Sequence, residues 1–206
     1  YSLSVPSSAK PPFVLKASFD GQELYSVKTA ASDGVANISQ LTNAVVAMVS
    51  PSGDVSLLAS ELVAGAAISA DSVDAAVETL QTALTPAMQA IEASGETVGN
   101  FLTDAFSADG TGIDKLLDTS KIGLTSALVD NKNLANIELT FNSALKLDDP
   151  NVPEPKGLTF TTASSLSDVR ASAGSVSIDK TNLPPKELAS LYRNFLERMQ
   201  ACYALP

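Results

Sequence analysis

The stretch Asn37–Val49, NISQLTNAVVAMV, decides how this chain is built, because a β-patterned start gives way there to helical spacing. Asn37 is a good helix cap, and Gln40 stands three residues on, at the spacing of a capping box. Ile38, Leu41, Val45, Met48 and Val49 come next at helical intervals, so one apolar stripe is expected to pack against a neighbour. Asn37-Ile38-Ser39 also matches the glycosylation sequon, for which the cap is the stronger reading.

Upstream of this helix the pattern has a period of two. Tyr1–Val5 sets Tyr, Leu and Val against Ser and is predicted to be a strand. Pro6–Pro12 holds three prolines and reads as a loop. Phe13–Phe19 is a strand with Phe13, Leu15, Ala17 and Phe19 on one side, and Asp20-Gly21 is a strong hairpin turn. Leu24–Ala30 returns as its partner, with Tyr25 and Val27 on one face. Three strands make a partial sheet that needs helical cover or further strands.

Downstream, Pro51 and Gly53 end the first helix, and Val55–Ala64 forms a short second one stopped by Gly65. Ser69 or Asp71 caps the longest helix, which runs to about Ala93 on a stripe of Val73, Ala76, Val77, Leu80, Leu84, Ala87, Met88 and Ile91. Pro86 removes a backbone donor inside it and is expected to kink it near Thr82. Thr97–Phe106 reads as another amphipathic turn set on Val98, Phe101, Leu102, Ala105 and Phe106. Asp109–Asp118, DGTGIDKLLD, has the glycines and aspartates of a calcium loop without the EF-hand spacing. It is read as a Gly-rich turn before a short helix that buries Ile113, Leu116 and Leu117. From Ile122 the period returns to two, with strands at Ile122–Val129, around Ile137–Phe141 and at Leu158–Thr162. Thr161–Ser177 is Ser-rich and reads as a loop or irregular edge. Pro184-Pro185 opens a final helix on Leu188, Leu191, Tyr192, Phe195, Leu196 and Met199.

Composition narrows the chemistry. The chain has 206 residues, 45% of them apolar, enough for a core, and a net charge of −10 with scattered basic residues. Nucleic acid and anionic membrane surfaces are therefore poor partners, since both demand clustered Lys and Arg. No run of about 18 apolar residues marks a transmembrane helix. There is neither a signal peptide nor an initiator methionine, and both ends read as cut from a longer chain. Cys202 is the one cysteine. It reads as a small buried group on the last helix or as half of a disulfide to a partner outside this stretch.

With no histidine, Ser-His-Asp and Cys-His hydrolases are excluded, and so are the usual zinc sites. No phosphate-binding glycine loop is present. Ser-x-x-Lys at Ser7–Lys10 lies in the Pro-rich loop without supporting motifs. Paired carboxylates are the remaining catalytic option. Asp148-Asp149 and Asp104 with Asp109 are the nearest in sequence, in turn-like settings. Aromatic residues are 5% with no tryptophan, which leaves few sugar platforms. No catalytic, cofactor-binding or metal-ligating residue is assigned, and no cofactor.

Gly34–Ala47, GVANISQLTNAVVA, resembles a pattern of bacterial secreted and lipoprotein-type surface proteins. In that group a carboxypeptidase-regulatory-like or Ig-like β domain ends in a strand and enters a helical module through G-x-x-N-[IV]-[ST]-x-L-T. YSLSVP and PFVLKASFDGQELYSV look like the last strands of such a domain, and DGTGIDKLLD with paired strands is similar to the later part of that module. The resemblance implies an exported bacterial location and carries over no catalytic residue.

The expected architecture is α+β: an N-terminal antiparallel segment, an Ala-rich helical bundle, a small antiparallel sheet and a C-terminal helix. The expected division is a β segment at 1–36, the end of a truncated sandwich-like domain, and a helical module at 37–206. The expected function is that of a non-enzymatic module of a bacterial cell-surface protein, serving assembly, adhesion or glycan contact. Its location would be extracellular or periplasmic with outer-membrane anchoring. Its partners would be other surface subunits or neighbouring domains, with self-assembly through open strands. Two alternatives are a periplasmic domain holding a small apolar ligand near Met48 and Met88, and a carboxylate-based glycan hydrolase.

Overall fold

The computed structural model describes residues 2–129, 132–141 and 158–161. The elements are β1 (Phe13–Phe19), β2 (Gln22–Lys28), α1 (Gln40–Val49), α2 (Leu58–Val63), α3 (Ala70–Ala93), α4 (Gly112–Thr119), β3 (Ser120–Val129), β4 (Lys132–Phe141) and β5 (Leu158–Thr161). They belong to one compact unit, Tyr1–Val176. The fold is α+β, with an N-terminal antiparallel sheet, a helical region and a second small antiparallel sheet in the order β3-β4-β5. The expected final helix, Cys202 and Asp148-Asp149 lie outside the described residues.

The hairpin forms where Asp20-Gly21 demands it. Both residues take positive φ, 48° and 75°, as a two-residue turn between right-twisted strands requires. Its register sets Val14 opposite Val27 and Lys16 opposite Tyr25. Tyr25 and Val27 are buried in the same core as α1 and α3, so residues on both sides of position 36 share one core. The more apolar side of β1 therefore turns away from that core: Val14 packs inward, while Phe19 is 86% exposed. Ser2–Val5 is not a strand, contrary to its alternation. Four residues of pattern do not make a strand without a neighbour to hydrogen-bond, and Leu3 is exposed.

α1 starts at a different cap from the one expected. Ser39, not Asn37, is the N-cap: its Oγ accepts from the Thr42 N–H (3.3 Å), and Thr42 Oγ1 accepts from the Ser39 N–H (2.8 Å). The two hydroxyl residues satisfy each other's end donors, which Asn37 and Gln40 would have done two positions earlier. Nor is α1 apolar on one stripe alone. Leu41, Ala44, Val45, Val46 and Ala47 have no exposed surface. Fully burying a Leu or Val contributes roughly 1.5–3 kcal/mol. That outweighs the intrinsic helix cost of a β-branched residue, at most about 0.7 kcal/mol.

α3 agrees with expectation. Ser69 caps it in a second reciprocal box with Ser72, and its buried positions include Val73, Ala76, Val77, Leu80, Leu84, Ala87 and Ile91. It is assigned as helix straight through Pro86. α2 is clasped to the end of α1 by Glu61, whose carboxylate accepts from the Ser50 hydroxyl (2.7 Å) and the Ser52 N–H (3.1 Å). At Gly53, with φ of 71°, the loop lies directly on β4: a Cβ there would collide with the Ala135 backbone N and come within 2.9 Å of the Leu134 carbonyl carbon.

β4 alternates as its sequence predicts, with Ile137 and Leu139 buried and Glu138 and Thr140 exposed. Thr97–Phe106 is not helical. Val98, Phe101 and Leu102 are buried, but the segment makes one turn at Asn100–Asp104 and leaves Phe106 exposed. Side chain competes with helix there: Asp104 Oδ2 accepts from the Asn100 N–H (2.8 Å), and Asn100 Oδ1 accepts from the Leu102 N–H (2.9 Å).

Candidate functional site

Two groups of polar side chains are dense enough to invite a chemical role. The first is the polar set of Asn37–Asn43. Asn37 Nδ2 donates to the carbonyls of Phe101 (3.0 Å) and Asp104 (2.8 Å), and its own N–H donates to Leu102 (2.9 Å). Gln40 Nε2 donates to the carbonyls of Leu117 (3.1 Å) and Ser120 (2.7 Å), while its Oε1 accepts from the Ile122 N–H (3.2 Å). Thr42 Oγ1 donates to the Tyr25 carbonyl (3.0 Å), and Asn43 Oδ1 accepts from the Tyr25 N–H (3.0 Å).

The pattern has one logic. Buried backbone groups must find partners; α1 supplies them to the edge of β2 and the start of β3, and Asn37, just ahead of α1, supplies them to the 101–104 turn. Each side chain serves a segment that is remote in sequence. Asn37 is thus a clamp on that turn, and both protons of its amide are engaged.

The second group is acidic and surrounds Gly110–Gly112. Three successive N–H groups each meet a different carboxylate. Gly110 donates to Asp114 (2.7 Å), Thr111 to Asp109 (3.0 Å) and Gly112 to Glu96 (2.9 Å). These amides stand at the start of α4, where donors lack helical partners and the helix dipole favours negative charge. Gly112 has φ of 54°, and a Cβ on it would meet the Thr97 carbonyl at 2.8 Å. The glycine is therefore required by a close approach of two backbones. Ile113 and Leu116 are buried beneath, as read from the sequence, with Leu117 packed beside them.

Glu96 also accepts from Lys115 Nζ (2.6 Å). That hydrogen bond, aided by the Gly112 N–H, holds its carboxyl below the ordinary glutamate range. Asp104 and Asp109 line one recess of about 240 Å³ together with Phe106, Thr111 and Ile113. Both carboxylates line that recess, each already accepting from a backbone N–H. Among the described residues, no group of three or more acidic or sulfur-bearing side chains is placed to hold a metal ion. Met48 and Met88 are half-buried against the core, and Met88 also lines a polar groove of about 360 Å³ with Gln81, Thr82, Thr85 and Glu92.

A third feature, invisible in residue chemistry, is the free side of the hairpin. Tyr25 gives both its backbone groups to α1, so it does not bond across to Lys16, and bonded pairs must fall at the alternate positions. The two-residue turn independently places Phe19–Gln22 among the bonded pairs. Hence the N–H and C=O groups of Val14, Lys16 and Ser18 point away from β2. Among the described residues the hairpin is a two-stranded sheet, and no strand lies on that side. Lys16 pairs instead with Glu23 (2.5 Å) and stands 5.8 Å from the Tyr25 ring centre.

No helix among the described residues is long and apolar enough to cross a membrane. No family model matches the chain, and no curated protein or solved structure does either.

Proposed function

We propose that the chain is a non-enzymatic module of an exported bacterial cell-surface protein and works in assembly or adhesion through its surface. One observation carries the reading: among the described residues, the two dense groups of polar side chains hold the protein's own backbone. Gln40, Thr42 and Asn43 fasten the sheets, and Glu96, Asp109 and Asp114 cap one helix start. Glu96 accepts from Lys115, the Gly112 N–H and the Ser94 hydroxyl, so its oxygens are engaged by the fold itself. The hairpin's open side and the exposed Phe19 favour contact with another polypeptide.

The test is made on intact cells of the source bacterium carrying an epitope-tagged copy. Antibody labelling and protease shaving of unpermeabilised cells are expected to reach the tag, and cross-linking is expected to capture a surface polypeptide. Confinement of the tag to the cytoplasm would sink the reading. So would turnover of glycan by the purified chain that disappears in the double variant Asp104→Asn, Asp109→Asn.

A further inference from the structure

Taking that reading as its basis, we propose that the open side of β1 accepts the segment Ser2–Val5 of a second copy of this chain as an added strand. Acceptor and donor are both present on one molecule. β1 presents outward-facing backbone groups at Lys16 and Ser18, within the fully exposed half of the strand, Lys16–Phe19. β2 cannot play this part, because Thr42 and Asn43 already occupy its outer groups at Tyr25.

The donor fits in length, charge and pattern. Ser2–Val5 alternates Ser, Leu, Ser, Val and carries no charge, so nothing in it opposes Lys16 or Glu23 across the junction. It matches the four exposed residues of β1 in number. Leu3 and Val5, 76% and 51% exposed, lie two residues apart and would line up on one face of an added strand. On β1 the side chains two apart that face away from the core are Leu15, Ala17 and Phe19. Adding the strand would set Leu3 and Val5 beside them, which covers Phe19 as well as the bare backbone. Three of the seven large apolar side chains exposed among the described residues belong to these two short segments.

Geometry favours a second copy over the segment's own hairpin. Residues 2–10 are all exposed, and a turn from Ala9 N–H to the Pro6 carbonyl (2.9 Å) lies between the segment and β1. Pro6, Pro11 and Pro12 restrict the backbone of that link. A strand given from one copy to another provides main-chain hydrogen bonds for affinity and paired side chains for register.

The experiment uses the full 206-residue chain and two variants, in about 150 mM salt to screen the mutual repulsion of like-charged copies. Ser18→Pro removes an outward N–H without touching a β1–β2 bond. Leu3→Asp with Val5→Asp spoils the donor. Sedimentation equilibrium is expected to show the parent chain associating with rising concentration. Each variant alone should associate at least about tenfold more weakly. An equimolar mixture should recover a single junction, because one variant keeps a sound donor and the other a sound acceptor.

A parent chain that stays at 21.2 kDa up to roughly millimolar concentration overturns the proposal. So does association that both variants retain, and so does concentration-independent exchange protection of the Lys16 and Ser18 amides, which would mean the segment folds onto its own strand. None of these results bears on cell-surface exposure, which the labelling of intact cells tests separately.

Discussion

α1 and α3 are both apolar helices with reciprocal Ser or Thr caps, yet they hold the molecule in different ways. α3 has 24 residues and one buried side; its exposed positions, such as Asp74, Ala75 and Glu78, meet solvent, and Thr79 and Thr85 return their hydroxyls to their own helix. α1 has 10 residues, is enclosed on most of its circumference, and sends its polar side chains to other segments. A helix at the margin of a core needs a stripe. A helix at its centre also needs side chains that answer the backbone of whatever it touches.

The contrast is most directly broken by placing the same residue on each helix. Ala47→Lys would bury an ammonium where no surface is exposed, and it is expected to remove cooperative unfolding altogether, a loss above about 4 kcal/mol. Ala75→Lys on the wet side of α3 should change stability by no more than about 0.5 kcal/mol. Urea denaturation monitored by circular dichroism reads both, and comparable losses would refute the distinction.

Next in size is Gln40→Ala, which strands the Ile122 N–H and two carbonyls. A loss of about 2–3 kcal/mol is expected. A loss near zero would mean that water replaces the amide and that α1 does not fasten β3. Pro86→Ala is expected to stabilise, by about 1–2 kcal/mol, because it restores a donor toward the Thr82 carbonyl inside α3. A thermal melt showing destabilisation would mean that the ring packs better than its missing bond costs.

The smallest effect concerns the segment after α3. The Glu96 carboxyl is held below its ordinary value in the folded chain, so its contribution is present above the unfolded value near 4.5 and is lost as pH falls through the lowered folded one. Stability measured from pH 6 down to pH 3 should fall less steeply in Glu96→Gln than in the parent. Parallel curves would show that Lys115 and Gly112 do not favour the ionised form.

Much of this was legible in the residues. Asp20-Gly21 flanked by alternating strands gave the hairpin, the stripe from Val73 to Ile91 gave α3, and Ile137, Leu139 and their polar neighbours gave β4 with its buried face. Three readings went astray for physical reasons. Asn37-x-x-Gln40 and Ser39-x-x-Thr42 both fit a cap, and long-range demand for Asn37 and Gln40 decided between them. The alternation of Tyr1–Val5 suited a strand, but among the described residues no strand lies beside Ser2–Val5 to hydrogen-bond with it. The apolar spacing of Val98, Phe101 and Leu102 suited a helix until Asn100 and Asp104 took the backbone donors into a turn. In DGTGIDKLLD the turn and the short helix were readable. The duty of its Asp109 and Asp114, to cap successive amides, is completed by Glu96 and could not be read from that segment alone.

Because Thr42 and Asn43 grip one strand while Gln40, two residues away, grips another nearly a hundred positions later in the chain, a single rivet passes through both sheets. Melting that helix releases the two together, so the amides of Tyr25 and Ile122 should exchange with solvent in one event.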